Sequence, residues 1–282
     1  MIYVSSSCIK SKTIKDSIFF LAENGIKNIE LSGGTDFYNG LQNDLIVLKS
    51  KYELNYLTHN YFPPPKEHFV LNLASLDKKN WQNSIDYFKN SIELSLKLGV
   101  SKYGIHAGFY LDPQVCELGR AFINRNCSNK KLALEKFVKG YEIIKNFVGN
   151  EIYLYIENNV LSFDNYRNYT FNPFMLTTFE EYEELKTLIN FNLLLDIAHL
   201  KVSTNTLNLD FEAELEKLLP HTNYIHLSDN DGKNDLNLGI ENNLELCALL
   251  KKNPLKSKII TLETYIPIPE IKRNIEILKS II

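Results

Sequence analysis

The sequence predicts a (β/α)8 TIM barrel forming a single domain over residues 1–282, and three observations predict it. Short apolar runs alternate with segments of helical periodicity from one end of the chain to the other. The 282 residues, 44% of them hydrophobic, can bury a large core and fall in the size range where such a barrel is one domain. Four runs in the second half each end in a side chain able to ligate a metal. In this fold the C-terminal ends of the strands carry the active site.

In order, the strand-like runs are Ile2-Tyr3-Val4, Asn28-Ile29-Glu30-Leu31, Leu54-Asn55-Tyr56-Leu57-Thr58 and Tyr103-Gly104-Ile105. The four that follow are Ile152-Tyr153-Leu154-Tyr155-Ile156-Glu157, Leu193-Leu194-Leu195-Asp196, Tyr224-Ile225-His226 and Ile259-Ile260-Thr261-Leu262-Glu263. Each is too short for a helix and rich in β-branched or aromatic residues. Between them, Ser91 to Leu98 is helical and ends on Gly99, a residue suited to a C-cap. Leu132 to Val148 repeats apolar residues at helical spacing before Gly149, and Thr178-Phe179-Glu180-Glu181 resembles a capping box. The last helix begins near Ile268, with Pro269 in its first turn. Two connections are unusually long, at about 109–131 and 158–177, and on a barrel rim they read as lids over the active site.

The net charge of −3, with both signs interspersed, gives no basic footprint, so no nucleic-acid partner is expected. No run of about 18 apolar residues occurs, and Met1-Ile2-Tyr3-Val4 lacks a charged segment leading into an apolar core. A cytoplasmic protein with no membrane partner is therefore expected. Cys8, Cys116, Cys127 and Cys247 show no metal-binding or disulfide spacing and read as reduced thiols.

An ionisable residue closing a buried strand is costly unless it is paired or bound to a metal. Glu157, Asp196, His226 and Glu263 all stand in that position. Three carboxylates and one imidazole suit one divalent ion, Mn, Mg, Co or Zn, with positions left for water or substrate oxygens.

The segments Ile156-Glu157-Asn158-Asn159, Leu195-Asp196-Ile197-Ala198-His199, Ile225-His226-Leu227-Ser228-Asp229-Asn230-Asp231-Gly232 and Leu262-Glu263-Thr264 resemble the xylose-isomerase-like barrel superfamily. That group includes sugar isomerases and epimerases, inosose dehydratase and endonuclease IV. The resemblance to its epimerase branch implies that Glu157, Asp196, His226 and Glu263 hold the ion and that His199 contacts substrate. It also implies that Glu157 and Glu263 are the catalytic pair that moves the proton. A metal-polarised carbonyl makes the neighbouring C–H removable, and bases on opposite faces permit removal on one side and return on the other. The implied activity is isomerisation or epimerisation of a small-molecule sugar, phosphorylated or otherwise derivatised forms included, and it leaves room for a homo-oligomer.

His59 in Thr58-His59-Asn60-Tyr61 and His106 in Gly104-Ile105-His106-Ala107 close strands three and four and are read as substrate-binding. Positions resembling them bind a second metal in endonuclease IV, so a metal-dependent AP endonuclease is one alternative. A metal-dependent ketosugar or cyclitol dehydratase is another. Against the nuclease, Asp235-Leu236-Asn237 stands where that enzyme carries Asp-x-His, and Asn is a poor zinc ligand. Gly33 and Gly34 read as a turn, or as a place where backbone approaches a ligand; Arg120, Arg125 and Arg167 read as solvated loop residues, or as groups reaching a phosphate or carboxylate. Tyr61, Phe62, Phe109, Tyr110, Tyr166 and Tyr169 are candidate walls of a sugar pocket or loop-packing residues.

Overall fold

The computed structural model describes residues 1–282 except Asn124 and Thr170. Eight parallel strands close a barrel in sequence order: β1 Ile2–Ser5, β2 Asn28–Leu31, β3 Asn55–His59, β4 Lys102–His106, β5 Tyr153–Glu157, β6 Asn192–Asp196, β7 Thr222–Leu227 and β8 Ile259–Leu262. Each run read as a strand forms one, within about two residues at either end. Around the barrel lie α1 Ile14–Glu23, α2 Leu41–Tyr52, α3 Lys78–Lys97, α4 Lys130–Val148, α5 Phe163–Tyr169, α6 Phe179–Leu188, α7 Ile197–Leu207, α8 Phe211–Leu218, α9 Leu244–Lys252 and α10 Ile268–Ile281.

Local chemistry starts and stops these helices. The side chains of Thr13, Asp77, Asn129, Asp210 and Asn243 each accept from a backbone N–H three residues on. Trp81, Ile85, Phe88 and Ile92 recur on one face of α3 and are buried against the barrel. Gly99, at φ +66°, turns the chain just after that helix. Thr178 caps α6 through the Glu181 N–H, but the Glu181 carboxylate reaches back to the N–H of Thr177, one residue earlier than a capping box requires.

Inside the barrel the two-residue period of a strand sorts the side chains into layers. Tyr3, Leu57, Tyr155, Leu194 and Tyr224 form a lower plug, with the Tyr155 and Tyr224 rings edge to face at 5.2 Å. Two residues further along the same strands stand Ser5, His59, Glu157, Asp196 and His226, all buried. Gly104 supplies no side chain, and the space is filled by neighbours: a Cβ there would lie 2.8 Å from His59 Cδ2 and 2.9 Å from Leu194 Cδ2.

The two long connections pack on one another. Phe109 and Phe174 form a bridge, and with Leu111, Phe122, Leu161 and Tyr169 they enclose a small apolar cluster. Asn159 Nδ2 ties the loops by donating to the carbonyls of Ala107, Gly108 and Met175. The second loop contains α5, which the sequence pattern did not announce. Phe62, Phe109, Tyr110 and Tyr169 are core or loop-packing residues. A third long connection, 60–77, and a fourth, 228–243, also rise on this rim. Among the described residues no helix is long and apolar enough to cross a membrane.

Candidate active site

Glu157 sits at the centre of the rim, fully enclosed, with a different set of neighbours for each oxygen. Its Oε2 lies 2.6 Å from His59 Nε2 and 2.9 Å from His106 Nε2. Its Oε1 faces His226 Nδ1 at 3.3 Å and His199 Nδ1 at 3.8 Å. Burial alone would raise this carboxyl, but His106, His59 and His226 hold it well below the ordinary carboxylate range. Strand register supports the arrangement, since His106 pairs with Glu157 and Asp196 with His226 across neighbouring strands.

His226 is enclosed as completely. Its Nδ1 has Glu157 Oε1 at 3.3 Å and Glu263 Oε2 at 3.1 Å, yet makes no hydrogen bond of acceptable geometry. Its Nε2 faces the Glu30 carboxylate at 2.9 and 3.1 Å. Burial would lower this imidazole; Glu30 and Glu157 outweigh it and push the group well above its usual value. Glu263 follows β8 directly, is about one-sixth exposed, and accepts from Ser7 Oγ at 3.0 Å.

On the other flank, Asp196 caps α7 by accepting from the His199 N–H at 2.7 Å. Burial pushes its carboxyl up to about 7. The His199 ring is held by the Asn158 carbonyl at 2.8 Å from Nδ1, with Asp235 at 3.5 Å and Asp196 at 3.8 Å from Nε2. Asn237 Nδ2 lies 3.5 Å from Asp235 Oδ2, the same oxygen that faces His199 Nε2.

The four residues expected to hold one ion do not form a single mutually close set. Glu157, Asp196 and His226 form one such set, whereas Glu263 joins His226, His59 and Glu30 in a second. His226 belongs to both and links them. A third set is His59, His106 and Glu157. Within each set the donors fit a divalent ion in chemistry and spacing. Ligand atoms bound side by side to one ion at about 2.0–2.2 Å stand about 3 Å apart, as the two carboxylate oxygens do from the orphaned His226 Nδ1.

Above the site opens a cavity of about 330 Å³. Glu263, His59, His106 and Ser7 line it from the strand ends, Gly33 and Thr35 from the loop after β2, and Asn60, Tyr61 and His68 from the 60–77 connection. Gly33 is needed there, because a Cβ would lie 2.7 Å from that of Tyr61. Of the described residues of the two loops read as lids, only Val115 and Leu118 reach this cavity. Of the aromatic residues singled out in the sequence, only Tyr61 does. Arg125 instead pairs with Glu117 within its own loop, and Arg167 with Asp164 on α5. Sequence reasoning missed Glu30, His68 and the 60–77 wall. Glu30 had a usable signal, a charge in the middle of a strand that a closed barrel buries on both faces.

With this geometry in view, the family model described as the xylose isomerase-like TIM barrel matches residues 20–281. The chain belongs to that family. Solved structures agree on the fold. A D-tagatose 3-epimerase-like protein superposes with a TM-score of 0.72 at 20% identity, over 99% of this chain and 96% of that one. Endonuclease IV from Thermus thermophilus gives 0.63 at 15% identity, covering 99% and 98%. D-psicose 3-epimerase from Clostridium cellulolyticum gives 0.61 at 14% identity, covering 99% and 90%. No curated protein sequence matches the chain.

Proposed function

We propose that this family member is a divalent-metal-dependent isomerase or epimerase of an unphosphorylated sugar, working by proton transfer through an enediolate. The observation that carries this reading is the cavity over the strand ends. Its volume of about 330 Å³ suits one small molecule, and Glu263 and His106 both face it. Among its described lining residues none is lysine or arginine, whereas Ser7, Ser32, Thr35, Asn60 and Tyr61 offer uncharged polar groups. A phosphate would want a cation there; hydroxyls do not.

Glu157, Asp196, His226 and Glu263 would hold the ion, which when bound supplies Lewis-acid polarisation of the substrate carbonyl. Glu263, the more exposed of the two glutamates, acts as the cavity-side base, with Ser7 fixing one of its oxygens. Glu157 is reached from the cavity through His106, whose ring is about one-third exposed while its Nε2 lies 2.9 Å from the carboxylate. His59 holds the same carboxylate oxygen from below, and His199 orients the Asp196 side of the site. The resemblance to sugar epimerases and the structural likeness to a tagatose 3-epimerase-like protein support this reading.

The test is solvent-deuterium incorporation into a panel of free ketoses by stripped protein reloaded with Mn, Mg, Co or Zn. Incorporation should depend on the added ion, and Glu157→Gln and Glu263→Gln should each reduce net turnover by about 10²–10⁴-fold with the ion still bound. Near-normal turnover by either ion-loaded variant would sink the two-base mechanism.

One observation favours a second reading. His59, His106 and Glu157 form their own close donor set, and the resemblance to endonuclease IV implies a second metal at positions like His59 and His106. That reading requires cleavage of duplex DNA at abasic sites and binding that weakens steeply with salt. Robust cleavage by protein free of host nuclease would replace the sugar reading.

A further inference from the structure

We infer that Glu30 is the positioning residue of the site: it fixes the proton on His226 Nε2 and so turns the Nδ1 lone pair toward Glu157 and Glu263. This rests on the proposal that His226 is a metal ligand. Glu30 lies on β2, across the barrel from His226 on β7, and is completely buried. No lysine or arginine is paired with it among the described ion pairs; its partner there is His226, with Nε2 at 2.9 Å from Oε1 and 3.1 Å from Oε2, while His59 belongs to the same close donor set. The other contacts on the carboxylate are hydroxyl donors. Thr261 Oγ1 donates to Oε2 at 2.8 Å, the Tyr224 hydroxyl donates to the same oxygen, and Ser32 Oγ lies 3.5 Å from Oε1.

A carboxylate surrounded only by donors accepts from each of them, so the nitrogen facing it must carry a hydrogen. When an ion displaces the proton from the other nitrogen, the ring is neutral, keeps its hydrogen on the side facing Glu30, and offers the ion a lone pair. Here that nitrogen is Nδ1, the atom with two carboxylate oxygens beside it and no hydrogen bond. Were the hydrogen on Nδ1, it would bond Glu157 or Glu263 and remove the nitrogen as a ligand. Glu30 touches the far side of the ring and its oxygens are already engaged, so its place is behind the ligand.

The experiment is direct titration of stripped protein with zinc, read by competition with a chromophoric chelator, for the unmodified chain and for Glu30→Gln. An amide has one acceptor oxygen, and Tyr224 and Thr261 both donate at the Oε2 place. The amide oxygen settles there and presents NH₂ to His226 Nε2, which then becomes the acceptor and drives the hydrogen to Nδ1. The zinc dissociation constant should weaken by about 10–100-fold. Tyr224→Phe keeps the carboxylate and should weaken it less than Glu30→Gln does. A Glu30→Gln constant within twofold of the unmodified protein overturns the inference. If the unmodified chain binds no zinc, both the metal reading and this role fall. If Glu30→Gln does not fold, imidazole ¹⁵N spectra of the zinc-loaded unmodified protein decide: a hydrogen on His226 Nε2 is expected, and its absence overturns the role.

Discussion

The lower plug of the barrel and the charged layer above it come from the same strands, two residues apart, and cohere for opposite reasons. Tyr3, Leu57, Tyr155, Leu194 and Tyr224 are held mainly by burial of apolar surface, with only the Tyr155 and Tyr224 hydroxyls reaching charged groups, Lys102 and Glu30. Glu157, Asp196 and His226 are buried just as deeply, but each carries a desolvation penalty that only a partner offsets. On the proposed function, the difference separates stability from function along a single strand: Leu194 serves the fold and Asp196 the metal, with one residue between them.

Substitutions can break or sharpen that contrast. The largest expected effect on the fold comes from the plug. Leu194→Ala should cost about 2–5 kcal/mol of unfolding free energy in urea denaturation, while elemental analysis still finds the ion content of the unmodified protein. A lost ion in that variant would mean that the layers are not separable. The upper layer should behave the other way. His226→Ala should take ion content from close to one per chain to near zero, and should remove the stabilisation that added metal gives, about 3–4 kcal/mol at 100–1,000 times the dissociation constant. An unchanged metal-dependent melting shift would place the ion elsewhere. The smallest effect is expected at the edge of the site. Ser7→Ala removes one hydrogen bond to Glu263 Oε1, worth about 0.5–1.5 kcal/mol. Turnover should fall by roughly threefold to tenfold by the same arithmetic, with melting lowered by at most about 6 °C; a loss as large as that of Glu263→Gln would show that Ser7 takes part in the chemistry.

How much of this was legible in the sequence follows from the same geometry. Strand ends were readable because a metal-capable side chain closing an apolar run is rare and expensive, and the pattern repeated at Glu157, Asp196 and Glu263. Helices were readable where caps and periodicity agreed, as at Gly99 and Thr178. Glu30 offered one local signal, a charge inside a buried strand, but its partners Tyr224, Thr261 and His226 come from across a closed barrel, so its role could not be read from the sequence. The 60–77 wall was missed for a related reason. It carries Pro63, Pro64 and Pro65 and little periodicity, so nothing local says that it turns back over the strand ends. The connections at about 109–131 and 158–177 are legible as long, but their job of packing on each other is set by Phe109 meeting Phe174, a contact between residues 65 positions apart.

Gly104 gives the layered interior an unexpected point of fragility. It carries no charge, binds nothing and lies on the strand whose only polar contribution to the rim is His106. Yet His59 stands opposite it in register and leans into the space where its side chain would be. Adding a single methyl group there would push the His59 ring off the Glu157 oxygen it touches at 2.6 Å, and through that oxygen disturb the whole rim. Drift at this position would silence the site while every ionisable residue in it stayed intact, so a relative that keeps all of its acids and histidines but not this glycine need not keep the chemistry.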